Sequence, residues 1–269
     1  MLFLLKKERS ADKMDNHLLK RLTRISMTFV LFFTPLFAFN GDTHQHTTKY
    51  GIEKVKESFG KNLEEFYNDE VTSILIEYCT KPDDDEIEGF FKFHFYNPAT
   101  NKNFKGENKS ALTMMSYHYN EALKNCINGS SNRIKTYDEL GRALHFLEDL
   151  NTPVHTNNQS FMDSVSNLTF HVSFENRCKK IQDEVIVEKL TEKEYDYYLL
   201  NSIENIGKSC AGVANNNFYI LYNNFSPKSE VAASSIINAE RAVAGVLYKF
   251  YNQAILISNQ LKQISHVKA

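Results

Sequence analysis

Tryptophan is absent from this 269-residue chain, and glycine (10) and proline (5) are scarce. Turn-rich β-sandwiches lean on glycine and proline at their frequent turns, so this scarcity argues against one and for long helices. No Pro/Gly/Ser-rich linker and no internal repeat divides the chain, which reads as one domain. Only four cysteines occur, Cys79, Cys126, Cys178 and Cys210. Their wide spacing excludes a zinc-finger pattern, and both two disulfides in any of three pairings and four free buried thiols stay open. No apolar run is long enough for a comfortable membrane span: "MTFVLFFTPLFAF", Met27 to Phe39, is short and broken by Pro35. Hydrophobic residues still make up 42% of the chain, enough to fill a core, so disorder is not expected.

The same apolar run has another reading. Lys20, Arg21 and Arg24 precede it, giving the basic and hydrophobic regions of a secretory signal. Ala38 suits the position before a cleavage point. Residues 1–38 are therefore expected to be removed, leaving an exported chain, 39–269, that begins at Phe39. Residues 1–38 hold seven Lys/Arg and three Asp/Glu, so the mature chain keeps 24 basic and 30 acidic side chains, a net of −6. A protein that binds nucleic acid by neutralising phosphates shows a basic excess, and none is present.

Helical periodicity dominates the remainder. Lys49 to Tyr67 places Ile52, Val55, Phe59, Leu63 and Phe66 at three-to-four spacing, and Ser110 to Ile127 continues the pattern. "TYDELGRALHFLEDL" opens on Thr136 with Glu139 three residues later, a capping-box pattern that predicts a helix start there. Glu192 to Leu221 predicts a helix interrupted near Gly212, and a long closing helix starts near Ser229. Strand signals are few. The stretches 82–104 and 151–175 read as long structured loops, which in a compact domain are usually functional. The expected fold is all-α.

The chemistry-bearing residues fall near these loops. His145 and Asp149 are four apart on one helical face, Pro153 ends that helix, and His155 follows on the exit. His171 and Glu175 repeat the spacing. Imidazole with carboxylate suits Zn²⁺, and i,i+4 spacing lets two side chains reach one ion. A single such pair is usually a surface pair or a satisfied core histidine; two pairs with a histidine between them are harder to assign to chance.

"HFLEDLNTPVHTNN", His145 to Asn158, resembles the signature of the bacterial zinc-dependent phospholipases C, H-aromatic-x-small-D-apolar-N/D-x-P-x-H-x-x-N. Phe146, Glu148 and Thr156 depart from it, and Glu148 adds a carboxylate beside the site. "HVSFE" is similar to the family's H-x-x-x-E pair, "HFYNP" to its H-F-aromatic-D-P and "KPDDDE" to its P-D segment. "THQHTTKYGIEKV" resembles the stretch with its first histidine, and Gly51, seven residues on, selects His44 over His46. The resemblance runs from about Phe39 to Glu175, in the family's order. It implies an all-α phospholipase C fold holding three zinc ions. Asp83, His94, His145 and Asp149 would hold one, and His155, His171 and Glu175 a second. Phe39, through its terminal amine and carbonyl, would join His44 and a bridging Asp149 on the third. Five of the eight histidines in the mature chain fall on these positions; His46, His118 and His266 do not.

The implied reaction is hydrolysis of the glycerol-side phosphodiester of a phospholipid, with Asp83 as candidate base or orienter for the attacking water. The expected protein is a monomer in transient contact with a membrane surface, with nucleic acid not its substrate. A secreted single-strand nuclease of similar fold and site is the alternative, but those pair the last histidine with aspartate and begin at tryptophan. A zinc-binding, non-catalytic exported protein is the third reading. Phe90, Phe91, Phe93 and Tyr96 allow either lipid contact or packing around His94.

Overall fold

A computed structural model of the chain describes residues 41–86, 88–127, 132–158, 165–222 and 228–267. Residues 1–38 and Phe39 lie outside them. All regular structure among the described residues is helical, as the composition predicts; one isolated bridge pairs Asn97 with Lys102. The longer helices are α1 (Gly41–Phe59), α3 (Asp69–Tyr78), α6 (Ala111–Ile127), α7 (Arg133–Leu150), α8 (Val165–Ile181), α9 (Glu192–Leu200), α10 (Ile203–Tyr222) and α11 (Ser229–Val267). Short helices α2 (Lys61–Phe66), α4 (Lys81–Asp85) and α5 (Glu88–Phe91) fill the gaps, with single 3-10 turns at Lys92–His94, Pro153–His155 and Gln182–Glu184. None of the described helices is long and apolar enough to cross a membrane.

α7 is central. It lies along α6 on one side and meets α3 on another, and every residue from Ala143 to Leu150 is buried. α1 packs along α11 with a stripe whose character changes midway. His44, Thr47, Thr48, Gly51, Ile52 and Val55 share the buried face at helical spacing, polar in the first turns and apolar in the last. Gly51 permits the approach, because a Cβ there would stand 2.5 Å from Val243 Cγ1. The main core joins Ile52, Val55, Leu75, Leu140, Leu144, Leu147, Val243 and Leu247; a smaller cluster of Phe170, Phe174, Phe218, Val231 and Ile236 seats α8 on α10 and α11.

Several local expectations are corrected. The helix predicted to start at Thr136 starts at Arg133; Thr136 Oγ1 donates to the Asn132 carbonyl (3.1 Å), and Glu139 is held by His118 rather than by a cap. The capping box instead opens α9, between Thr191 and Glu194. The break expected near Gly212 lies at Asn201–Ser202, and Gly212 sits inside α10. Gly60, at φ 63°, ends α1 and splits the predicted 49–67 helix. The second long loop is shorter than expected, because α8 begins at Val165 and carries both His171 and Glu175. All four cysteines are free thiols, Cys79 and Cys178 buried.

Candidate metal centre

Each predicted histidine is delivered by a different local device. His44 comes from the first turn of α1, and His145 with Asp149 from the last turns of α7. Asp83 lies in α4 and is buried; Pro82 beside it starts that turn. Gly141 lets the end of α3 sit against α7, since a Cβ there would lie 2.9 Å from Tyr78 Cβ and 3.1 Å from its carbonyl carbon. That closeness brings the Cys79 carbonyl to His145, whose Nδ1–H donates to it at 2.7 Å. His94 follows a kink: Phe91 takes the left-handed region (φ 60°), which is uncommon for a large side chain and costs on the order of 1 kcal/mol or more. His155 leaves α7 after Pro153, and its Nδ1–H donates to the His94 carbonyl (2.9 Å) while Tyr96 N–H donates to the His155 carbonyl (2.9 Å). In His145 and His155 the bonded Nδ1 leaves Nε2 as the ligand nitrogen.

The described predicted residues converge into three buried groups: Asp83 with His94 and His145; His155 with His171 and Glu175; and His44 with His145 and Asp149. In the first, His94 Nδ1 lies 3.0 Å from His145 Nε2 and 3.0 Å from Asp149 Oδ2. Asp149 Oδ2 is 3.4 Å from His145 Nε2, and Asp83 Oδ1 is 3.6 and 3.7 Å from His145 Nε2 and His94 Nδ1. A tetrahedron with metal–ligand bonds of 2.0–2.1 Å has edges of about 3.3 Å, so this set has the dimensions of a four-ligand zinc site. In the second group Glu175 Oε1 is 2.7 Å from His171 Nε2 and 3.4 Å from His155 Nε2. Asp149 links the first group to the third, because its other oxygen, Oδ1, faces His44 Nε2 (4.0 Å). The His44 and His145 rings stack at 4.0 Å. Phe39, the remaining predicted ligand, lies outside the described residues.

The electrostatics are those of a site made for cations. Both oxygens of Asp83, Nε2 of His94 and Oδ1 of Asp149 are buried without a hydrogen-bond partner. Buried polar atoms are normally paired, and a group of unpaired ones signals a missing ion or water. Burial drives the Asp83 carboxyl well above the usual carboxylate range, and the neighbouring Asp149 charge adds to it. Burial also acts to raise Asp149, but His155, His145 and His94 outweigh it and hold that carboxyl well below its usual range. Burial pushes His171 down to about 4, leaving it neutral and able to ligate at ordinary pH. The donor set therefore fits zinc in type and charge, and the first group fits it in distance as well.

The residues beside the predicted set have other roles. Glu148 is fully buried; His44 Nδ1 bonds to one of its oxygens, and Thr48 Oγ1 donates to the other at 2.8 Å. The sequence marked Glu148 as a departure but not its direction, which depends on α1 lying against α7. His46 bridges Asp183 (3.4 Å) and Glu240 (3.3 Å), and His118 bridges Glu139 (2.7 Å) and Glu86 (3.0 Å). Phe93 and Tyr96 are buried, so packing describes them and lipid contact does not. Phe95 was not singled out in the sequence, yet its ring stacks on His155 at 4.6 Å.

Comparison with known proteins bears on the sequence and the fold. No family model matches the chain. It is 25% identical to a phospholipase C of Clostridium novyi over 64% of its own length and 47% of that protein. It is 24% identical to one of Paraclostridium bifermentans over 78% of its length and 58% of that protein. The chain thus spans about half the length of the curated relatives it matches. Its fold matches the alpha toxin of Clostridium absonum with a TM-score of 0.69 at 24% identity, covering 80% of this chain and 65% of that one. The avian-strain Clostridium perfringens alpha-toxin gives 0.65 at 22%, covering 79% and 63%. The chain is similar in sequence to bacterial phospholipases C and has the all-α fold of the clostridial alpha-toxins.

Proposed function

We propose that the chain is an exported, zinc-dependent phospholipase C that hydrolyses the glycerol-side phosphodiester of phospholipids to diacylglycerol and a phosphorylated head group. The observation that carries this reading is the convergence of three buried His/carboxylate groups, two of them joined through the two oxygens of Asp149. Linked cation sites of this kind suit phosphodiester chemistry, and the relatives are named for it. Zinc bound there would polarise phosphoryl oxygens, lower the pKa of water towards about 7, and stabilise attacking and leaving oxygens of an in-line displacement.

The chain's own residues supply the rest. Asp83, His94, His145 and Asp149 would hold one ion, His155, His171 and Glu175 a second, and His44, Asp149 and Phe39 a third. Three zinc ions carry a charge of +6, and the three assigned carboxylates offset half of it. The remainder attracts a substrate phosphate. Asp83 accepts a proton from the attacking water at Oδ2: burial raises its proton affinity, and that oxygen has no hydrogen-bond partner. Chelated protein should hydrolyse no phospholipid and recover with added zinc, and a panel of head groups then sets the preference. Active protein without zinc on elemental analysis, or protein that cleaves single-stranded DNA but no lipid, overturns the reading.

Export and the third ion both rest on residues before Gly41. An α-amine must lose its proton to ligate, which its unperturbed pKa of about 8 makes easy beside a cation. Protein that retains residues ahead of Phe39 offers only an amide there. It should be weakly active and hold one zinc fewer than protein trimmed to a free Phe39. Equal activity and zinc content in the two forms would rule out the terminal ligand.

A further inference from the structure

His145 and His155 orient their rings by donating from Nδ1 to backbone carbonyls at the ends of helical segments, those of Cys79 and His94. His44 has a different neighbourhood. It stands inside α1 and faces α7, two helices whose carbonyls serve their own i→i−4 bonds, so a side chain is the natural acceptor. Glu148 occupies that position. One oxygen meets His44 Nδ1, and the other accepts from Thr48 Oγ1 at 2.8 Å. His44 and Thr48 are one turn apart on α1 and grip both oxygens of one carboxylate, which is itself completely buried. Asp149, the next residue on α7, turns instead towards the metal groups, with Oδ1 4.0 Å from His44 Nε2.

The geometry assigns Glu148 as the positioning residue for His44. It accepts the hydrogen bond from Nδ1–H and so fixes the tautomer, with the Nε2 lone pair aimed at the group of His44, His145 and Asp149. Thr48 holds the carboxylate in place. The inference rests on the zinc reading above, because an ion at this group is what the oriented nitrogen would serve. Outer-shell partners of metal-bound histidines are typically worth about ten- to hundredfold in metal affinity.

The test uses the full protein and zinc, with Glu148→Leu, Glu148→Gln, His44→Ala and the double variant Glu148→Leu/His44→Ala. Zinc affinity is measured by competition with a chromophoric chelator, and the His44 tautomer of zinc-loaded protein by nitrogen-15 NMR. Glu148→Leu should weaken one zinc site about ten- to hundredfold while the group of His155, His171 and Glu175 keeps its ion. Glu148→Gln retains a neutral acceptor, so it should preserve the Nδ1–H tautomer and recover part of the affinity. In the His44→Ala background, Glu148→Leu should have no further effect. Unchanged affinity in Glu148→Leu, an Nε2–H tautomer in the zinc-loaded protein, or equal losses with and without His44 overturns the assignment and leaves the function reading intact. Wild-type protein that binds no zinc overturns both. If Glu148→Leu fails to fold, the Glu148→Gln affinity and the wild-type tautomer decide it.

Discussion

Helix α7 carries two clusters of histidines and carboxylates, one near its start and one at its end. Near the start, His118 from α6 sits between Glu139 (2.7 Å) and Glu86 (3.0 Å), using both ring nitrogens. Arg142 reaches Asp85 through two nitrogens (2.8 and 2.7 Å), Asp138 at 2.8 Å and Glu86 at 3.3 Å. At the end of the same helix, His145, Glu148 and Asp149 join Asp83, His94, His155 and His44, and several buried oxygens and one ring nitrogen have no hydrogen-bond partner. Both clusters are built from histidine and carboxylates, but only the first adds an arginine. The first contains its own cations and closes on itself; the second lacks them. A satisfied buried network holds structure together, whereas an unsatisfied one is stable only with something added. The two are also connected, because Asp85, held by Arg142, lies two residues from Asp83.

The sharpest way to break this contrast is to remove a carboxylate from the end cluster. Asp149 faces two of the three groups, one with each oxygen, so Asp149→Asn should lower the zinc content by more than one ion. Its activity should fall by more than about a hundredfold, beyond what outer-shell partners carry. Asp83→Asn should also remove activity, with an unusual second effect. In chelated protein it replaces a buried carboxylate that has no hydrogen-bond partner and is repelled by Asp149, so the zinc-free fold should be no less stable than wild type. Thermal melts with and without chelator measure this. A large loss of stability in the chelated variant would mean that the end cluster is structural after all.

The start cluster should answer in the opposite sense. The sequence places His118 outside the ligand pattern, so its replacement by alanine should leave activity nearly unchanged; the cost falls on stability instead. His118→Ala leaves Glu86 and Glu139 facing a gap, each with its side chain mostly buried. The cost should be about 1–3 kcal/mol of stability, read from denaturant unfolding, with zinc content unchanged. Loss of zinc with no loss of stability would erase the distinction between the clusters.

What could be read from the sequence follows from this difference. The pairs His145/Asp149 and His171/Glu175 are four apart, and helical geometry alone puts each on one face, so their convergence needs no tertiary knowledge. The helix content and the long closing helix are legible for the same reason, since periodicity is local. Glu139 misled because its partner is not Thr136 on its own helix but His118 on another, 21 residues away in sequence. Glu148 and His44 are separated by 104 residues, and nothing short of α1 packing on α7 joins them. The α9–α10 break at Asn201–Ser202 was misplaced because Gly212 has the poorer helix propensity, yet nothing contacts a Cβ placed there and the helix runs through.

The smallest expected effect is the pH dependence of the two clusters. Burial acts to lower the His118 pKa, but hydrogen bonds to Glu139 and Glu86 outweigh it and hold the imidazolium above its usual value. Glu86 is the counterpart: burial acts to raise it, while His118 and Arg142 bring it below the usual glutamate value. A raised histidine adds stability that is complete below its unfolded pKa of about 6.5 and is lost as pH rises through the folded value. A lowered glutamate adds stability that is complete above about 4.3 and is lost as pH falls through its folded value. The pair should therefore contribute most between about pH 4.5 and 6.5. Zinc ligands respond the other way, since imidazoles must be deprotonated to bind and affinity rises with pH. Unfolding of chelated wild-type and His118→Gln protein across pH 5 to 9 isolates the first effect. The stability difference should be greatest at the acid end and shrink as pH rises, while zinc affinity measured in parallel increases. A difference that is flat across this range would mean that His118 is neutral throughout and that its two carboxylates do not hold it charged.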